Sequence, residues 1–358
     1  MQVSPMSITI RTLTWSRESH GLFDYESHSI HKNTLKASGA SKIIRNCNEV
    51  QLIPQNAETD SPDSLILAFL DEAPDSYYLR PHEPENLWLV VKSLRENHQS
   101  GFELSEGTII KLGRVKYRVR ELCHEEKQLD NFQMAEEAAE PGRACKICLW
   151  EENTSENPLI SPCSCSGSMK YMHLDCLKTW LESRKSTRST ENSMSFFWKS
   201  IDCEICKEPF PITLPYKGKP YELFSVEERS TPYIVLEAVT RERNNNRGIH
   251  FITLKNRFCV KLGRGHDSDV RISDISVSRC HAMIEFKDGR FYLQDNNSKF
   301  GTLVQIQGEF QIKEETGVIS LQSGRTVLSI FAKNNFLNSE SMNISIEETE
   351  DESFTETL

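Results

Sequence analysis

The chain has 358 residues, 37% of them apolar, and carries a net charge of −10. That length accommodates two or three domains with separate, modest cores. The net acidity argues against a general nucleic-acid binder, and no apolar run approaches the ~20 residues a membrane-spanning helix needs. No early segment joins a basic front to an apolar middle, so the chain reads as soluble, cytoplasmic or nuclear. In those compartments clustered cysteines stay reduced and bind metal more often than they pair.

Residues 1–60 are rich in Ser, Thr, Asn and His without sustained periodicity, which predicts a disordered segment. Residues 61–124 predict a small β-rich module, because "NLWLVVKSL" and "GTIIKLGRVKYRVREL" are separated by the turn residues of "RENHQSGFELSEG". In its last strand Val115, Tyr117 and Val119 alternate with Lys116, Arg118 and Arg120. One face is then apolar and the other cationic, as expected of a solvated sheet edge. Residues 125–141 form an acidic linker that ends at Pro141-Gly142.

Seven of the eleven cysteines lie between positions 145 and 206. Cys145 and Cys148 stand in "CKIC", Cys163 and Cys165 in "CSC", His173 and Cys176 in "HLDC", and Cys203 and Cys206 in "CEIC". Four ordered pairs of thiol or imidazole ligands fit two closed tetrahedral zinc sites. A redox Cys-x-x-Cys has no use for four pairs, and a disulfide framework needs an oxidising compartment.

In this order and spacing residues 142–211 resemble the RING-CH fingers, a RING variant with cysteine at the fourth ligand and histidine at the fifth. A PHD finger is disfavoured by the gap before His173 and by Ile201 where that family has Trp. The cross-brace of the resembled family implies one zinc on Cys145, Cys148, His173 and Cys176 and a second on Cys163, Cys165, Cys203 and Cys206. It also implies ubiquitin ligation, in which the finger grips a charged ubiquitin-conjugating enzyme and supplies no nucleophile. Positions matching the gripping patch are Ile147, Leu149, Trp150, Trp180 and Pro209, and Lys207 matches a basic residue that contacts ubiquitin. Cys176, Leu177, Trp180 and Leu181 recur at helical spacing, so Trp180 is equally consistent with packing inward.

Residues 212–232 read as a linker. Residues 233–334 hold short strands such as "YIVLEAV", "HAMIEF" and "RFYLQD" between Gly, Asn and Asp turns, the rhythm of a β-sandwich. Three of its loops, "LGRGHDSD", "SVSRCH" and "DNNSKFGT", resemble those of the forkhead-associated (FHA) domain, a sandwich that binds phosphothreonine peptides. The resemblance implies that Arg264 and Ser278 contact phosphate and that Arg279 and Lys299 line the same pocket. It gives Gly263, His281, Gly301 and Thr302 structural roles. A guanidinium with short donors on rigid loops suits a group with three acceptor oxygens and nearly two charges. One position departs from the family: the Asn that usually precedes Gly-Thr and clamps the peptide backbone is Phe300.

"GTIIKLGRVKYRVRE" and "GVISLQSGRTVLSIF" share a pattern, which leaves open an FHA-like reading of the first β module, although a packing or protein-contact element is the expectation. It lacks a Ser-x-x-His loop, so no phosphate role is carried onto it. Residues 335–358 form an acidic tail expected to be disordered. The expected architecture is therefore multidomain: a small α+β cross-brace finger with two zinc ions, an all-β FHA sandwich and a smaller N-terminal β module. The leading function is a zinc-dependent ubiquitin ligase that recruits phosphothreonine-containing proteins. The alternative is a non-enzymatic phosphopeptide adaptor with a structural finger.

Overall fold

A computed structural model of the chain describes residues 7–17, 21–58, 64–97, 101–124, 142–198, 202–208, 210, 213–216, 219–222, 231–239 and 247–333. The acidic linker at 125–141, the tail beyond 333 and Pro209 lie outside the described residues. Strands begin at once. They are β1 (Ser7–Trp15), β2 (Ile30–Ala37), β3 (Ser41–Asn46), β4 (Glu49–Pro54), β5 (Leu65–Ala73), β6 (Ser76–Pro81), β7 (Trp88–Val90), β8 (Phe102–Glu103), β9 (Ile109–Leu112) and β10 (Val115–Cys123).

The finger follows, with β11 (Leu159–Ile160), β12 (Met172–His173), helix α1 (Leu174–Glu182) and the hairpins β13 (Lys185–Ser189) with β14 (Ser193–Trp198) and β15 (Thr213–Tyr216) with β16 (Lys219–Glu222). Ten further strands follow among the described residues: β17 (Tyr233–Ala238), β18 (Arg247–Thr253), β19 (Cys259–Gly263), β20 (Val270–Arg271), β21 (Ala282–Lys287), β22 (Arg290–Asp295), β23 (Thr302–Gln305), β24 (Phe310–Ile312), β25 (Ile319–Ser323) and β26 (Thr326–Lys333).

The expected disorder of residues 1–60 is corrected by β1–β4. In β1, Ile8, Ile10, Thr12 and Thr14 alternate as the buried set, so half of the inward face is threonine, which the composition presented as polar chain. The 212–232 linker is likewise corrected, since part of it forms the β15–β16 hairpin.

Among the described residues the two sets of ten strands follow the same order, except that β20 runs parallel to β19 where β4 is antiparallel to β3, and their last three strands are exchanged. The central sheet runs β13-β14-β18-β17-β10-β9-β23-β7-β25-β26-β1-β2, backed by β20-β19-β21-β22-β8 and by β24-β6-β5-β3-β4. β26 of the second repeat pairs with β1 of the first, and β10 of the first pairs with β17 of the second. The same reciprocity joins β25 to β7 and β9 to β23, and β24 to β6 and β8 to β22. β7 and β23 lie antiparallel at the centre, with Leu89 opposite Val304. Neither the 61–124 module nor the 233–334 sandwich is therefore self-contained. The cationic row of β10 is not at an edge, because β10 is paired on both sides, and Arg120 reaches Glu237 at 2.7 Å.

The exchanged hairpins turn on matching Gly-Arg pairs. Gly113 and Gly324 both adopt positive φ, 58° and 57°. Arg114 reaches Asp274 in the second repeat at 3.3 Å. Arg325, buried in the first repeat, donates to the carbonyl oxygens of Trp15 and Cys47 at 2.6 and 2.8 Å.

The finger joins the second repeat through β14, which pairs along β18. There the buried His250 bonds the Ser195 hydroxyl at 2.8 Å between the rings of Tyr117 and Phe197, and burial lowers its pKa to about 4. The unfolded chain takes up a proton near pH 6.5 that the folded chain refuses until about 4. Stability contributed by the neutral ring is thus complete above pH 6.5 and falls through that window, by up to about 3 kcal/mol. Amides of β18 are expected to lose exchange protection progressively as the pH falls from 6.5 towards 4, after correction for intrinsic rates. His250→Phe should flatten that dependence.

Candidate functional site

The finger is built from two matching knuckles. In Cys145–Leu149 the Leu149 N–H donates to the Cys145 carbonyl at 2.8 Å, and in Cys203–Lys207 the Lys207 N–H donates to the Cys203 carbonyl at 2.9 Å. Leu149 and Lys207 close these turns at φ 64° and 63°, in the left-handed region. Helix α1 buries Leu174, Leu177 and Leu181 at positions i, i+3 and i+7, and its first turn carries Cys176. The preceding His173 is fixed by its own ring: Nε2–H donates to the Glu152 carbonyl at 2.5 Å, which leaves Nδ1 facing the Cys148 sulfur at 3.2 Å.

Two four-ligand groups result, Cys145, Cys148, His173 and Cys176, and Cys163, Cys165, Cys203 and Cys206. Within each group all donor atoms lie within 4.8 Å of one another. A zinc–sulfur bond of ~2.3 Å sets a tetrahedron edge of ~3.8 Å, and the Cys165 and Cys203 sulfurs are 3.6 Å apart. Donor set and spacing thus fit zinc in both groups, where the ion would supply structural closure. Burial alone raises the Cys145 thiol, but backbone N–H groups of Cys148, His173 and Ile147 directed at its sulfur bring it down to about 7. In the second group burial likewise opposes ionisation of Cys203, yet the N–H groups of Cys206 and Ile205 with the neighbouring thiols lower it to about 6.

Lys146 is a contributor that spacing alone did not single out. Its ammonium lies 3.6, 3.8 and 3.5 Å from the sulfurs of Cys163, Cys165 and Cys203, so a side chain of the first knuckle sits against the second site. Four thiolates on one divalent zinc leave a net double negative charge, which this cation offsets. The only hint in the sequence is a lysine between two ligands.

Around the knuckles Ile147, Leu149 and Trp150 are exposed, with Ile205 of the second knuckle, 54% exposed, joining them. Ile147, Met169, Leu177, Trp180, Ile205 and Phe210 line a groove of about 150 Å³. Trp180 is half-buried, edge-on to Phe210 at 5.8 Å, with the Arg184 guanidinium over its ring at 4.2 Å. Lys207 is exposed beside the second knuckle.

In the second repeat, a Cβ at Gly263 would stand 2.2 Å from the Arg279 carbonyl, so only glycine permits that approach. The Arg264 and Gly265 N–H groups donate to the carbonyls of Ser278 and Arg279 at 2.9 and 2.8 Å, holding two of the three loops together. Arg264 and Arg279 are exposed at this seam. The Ser278 hydroxyl accepts the Lys299 N–H at 3.1 Å and brings in the third loop. His281 is fully buried, accepting the Ser278 N–H at Nδ1 and donating from Nε2 to the Gly301 carbonyl at 3.1 Å. Asp295 ties down the same loop through the hydroxyls of Ser298 and Thr302, at 2.5 and 2.7 Å.

This loop is also clasped by the first repeat. The Tyr25 N–H donates to the Lys299 carbonyl at 3.0 Å, Asp24 pairs with the Lys299 ammonium at 3.3 Å, and Tyr25 covers Gly301. Phe300 packs into the cluster of Trp15, Phe23 and Val327. The residue that departs from the FHA pattern is thus a contact between repeats.

A family model of the RING-variant domain matches residues 145–206, and one of the FHA domain matches residues 260–327. The chain is 24% identical to the E3 ubiquitin-protein ligase MARCHF7 of Rattus norvegicus over 60% of its own length and 30% of the relative's. It is 32% identical to MARCHF7 of Pongo abelii over 43% of its length and 20% of the relative's. It is 31% identical to the ERAD-associated E3 ubiquitin-protein ligase DOA10 of Saccharomyces cerevisiae over 30% and 7%, respectively. The chain thus spans less than a third of the length of these relatives. Among the described residues no helix is long and apolar enough to cross a membrane.

Proposed function

We propose that the chain is a RING-type ubiquitin ligase that recruits phosphothreonine-containing proteins through its second repeat. The observation that carries this reading is the exposed Ile147 and Ile205 groove between two complete zinc ligand sets, in a domain of the RING-variant kind. Exposed apolar side chains on a metal-stiffened knuckle suit a docking surface, since the partner need not order them. The finger would hold the charged conjugating enzyme there, with Lys207 toward ubiquitin, and a substrate lysine amine would attack the thioester directly, forming an isopeptide bond to ubiquitin and releasing the conjugating enzyme's cysteine thiol. Arg264, Ser278, Arg279 and Lys299 would receive the phosphate.

The test is discharge of ubiquitin from a panel of charged conjugating enzymes to free lysine. The wild-type chain is expected to accelerate discharge for at least one of them. Ile147→Ala should keep both zinc ions yet lose most of the acceleration, as truncation of a central anchor costs ~2 kcal/mol or more, roughly thirtyfold. No acceleration with any enzyme would leave a phosphopeptide adaptor in its place.

A further inference from the structure

The β13–β14 hairpin lies between the sixth and seventh metal ligands, Cys176 and Cys203, yet its strands belong to the sheet of the second repeat. Six consecutive pairs run from Ser193↔Ile252 to Trp198↔Arg247. Its tip docks on the far end of the loop that begins at Arg264. The Ser193 hydroxyl donates to the Asp269 carbonyl at 2.6 Å, the Asn192 amide donates to the Asp269 carboxylate at 3.1 Å, and Thr253 N–H donates to the Asn192 carbonyl at 3.0 Å. Asn192 and Ser193 are buried. A second observation points the same way: one buried cluster runs from Leu174, Leu177 and Leu181 of the finger through Phe196 to Val235 and Ile249 of the sandwich.

From these contacts we infer that the hairpin is a positioning element that holds the finger at a fixed offset from the Arg264 loop, so that the ligase selects lysines by their spacing from the phosphothreonine. This rests on the function proposed above. A backbone ladder with a buried polar tip is stiff, whereas a peptide linker would let the two sites wander. With both sites fixed, a substrate bound by its phosphate presents to the conjugating enzyme only lysines whose intervening residues span that offset, because effective concentration falls when a tether is too short or too long.

The experiment compares the full chain with two variants. One carries Asn192→Ala with Ser193→Ala, and the other has residues 185–198 replaced by a Gly/Ser stretch of equal length. Zinc content and the rate of discharge to free lysine serve as controls. Nitrogen-15 relaxation should give finger and sandwich amides one rotational correlation time in the wild type, and faster finger tumbling in the replaced chain. On phosphothreonine peptides with a single lysine placed at increasing distances, the wild type should modify the best spacing roughly tenfold faster than spacings far from it. The variants should flatten that profile. Independent tumbling in the wild type, or a profile as flat as that of the replaced chain, overturns the inference. Equal modification of phosphorylated and unphosphorylated peptides overturns it through the reading on which it rests. That case is recognised because the correlation times remain shared.

Discussion

A chain cut by a protease site placed within residues 125–141 is expected to stay in one piece. The halves are interlocked rather than adjacent. From the first half Leu104, Ile110, Leu112, Val115, Tyr117, Val119 and Leu122 are buried core members contributed by strands or loops that lie in the second sandwich. From the second half Ile312, Ile319, Leu321, Leu328, Ile330 and Ala332 enter the core of the first. At ~1.5–3 kcal/mol for each large apolar side chain, the gross contribution is ~18–36 kcal/mol, against association costs of ~4–15 kcal/mol. The halves should therefore associate at nanomolar affinity or tighter, co-elute in gel filtration and separate only in denaturant, in a single transition. Two ordered halves that part at micromolar concentration would show that each repeat keeps its own last three strands.

Removal of the metals should have the largest local effect. Two zinc ions per chain are expected in metal-replete protein, each structural site contributing roughly 10–16 kcal/mol to a unit with little core of its own. Chelation should collapse the amide dispersion of residues 142–182 and leave β19–β26 intact, because their core cluster contains no metal ligand. Cys206→Ser should lose the second ion, and with it the Lys146 contact that braces the first knuckle against the second site. One zinc per chain, or a finger that keeps its dispersion in chelator, would contradict the cross-brace.

The metal ligands were legible in the sequence because their pairs are close in the chain and each knuckle closes through its own backbone. The FHA loops were legible for a related reason, since Gly263, Ser278 and His281 answer local demands of packing and hydrogen bonding. Pairing partners were not. The Gly113-Arg114 and Gly324-Arg325 hairpins are near equivalents, and nothing in either says which repeat it completes. Residues 7–54 carry no legible strand pattern because β1 buries Thr12 and Thr14, while β2 is an end strand with a mostly exposed polar face. By the family pattern Phe300 is a lost peptide clamp, yet its partner Trp15 lies 285 positions away in sequence, and only the joining of the repeats brings the two rings together.

The most direct test of the central claim is a reconstituted reaction containing a conjugating enzyme that passes the discharge assay, ubiquitin, and a lysine-bearing peptide with either threonine or phosphothreonine. The account predicts zinc-dependent modification of the phosphorylated peptide in preference to its counterpart, with Arg264→Ala lowering the preference roughly ten- to a hundredfold through loss of a charged hydrogen bond of ~1.5–3 kcal/mol. Equal modification of the two peptides, unaffected by Arg264→Ala, would contradict it.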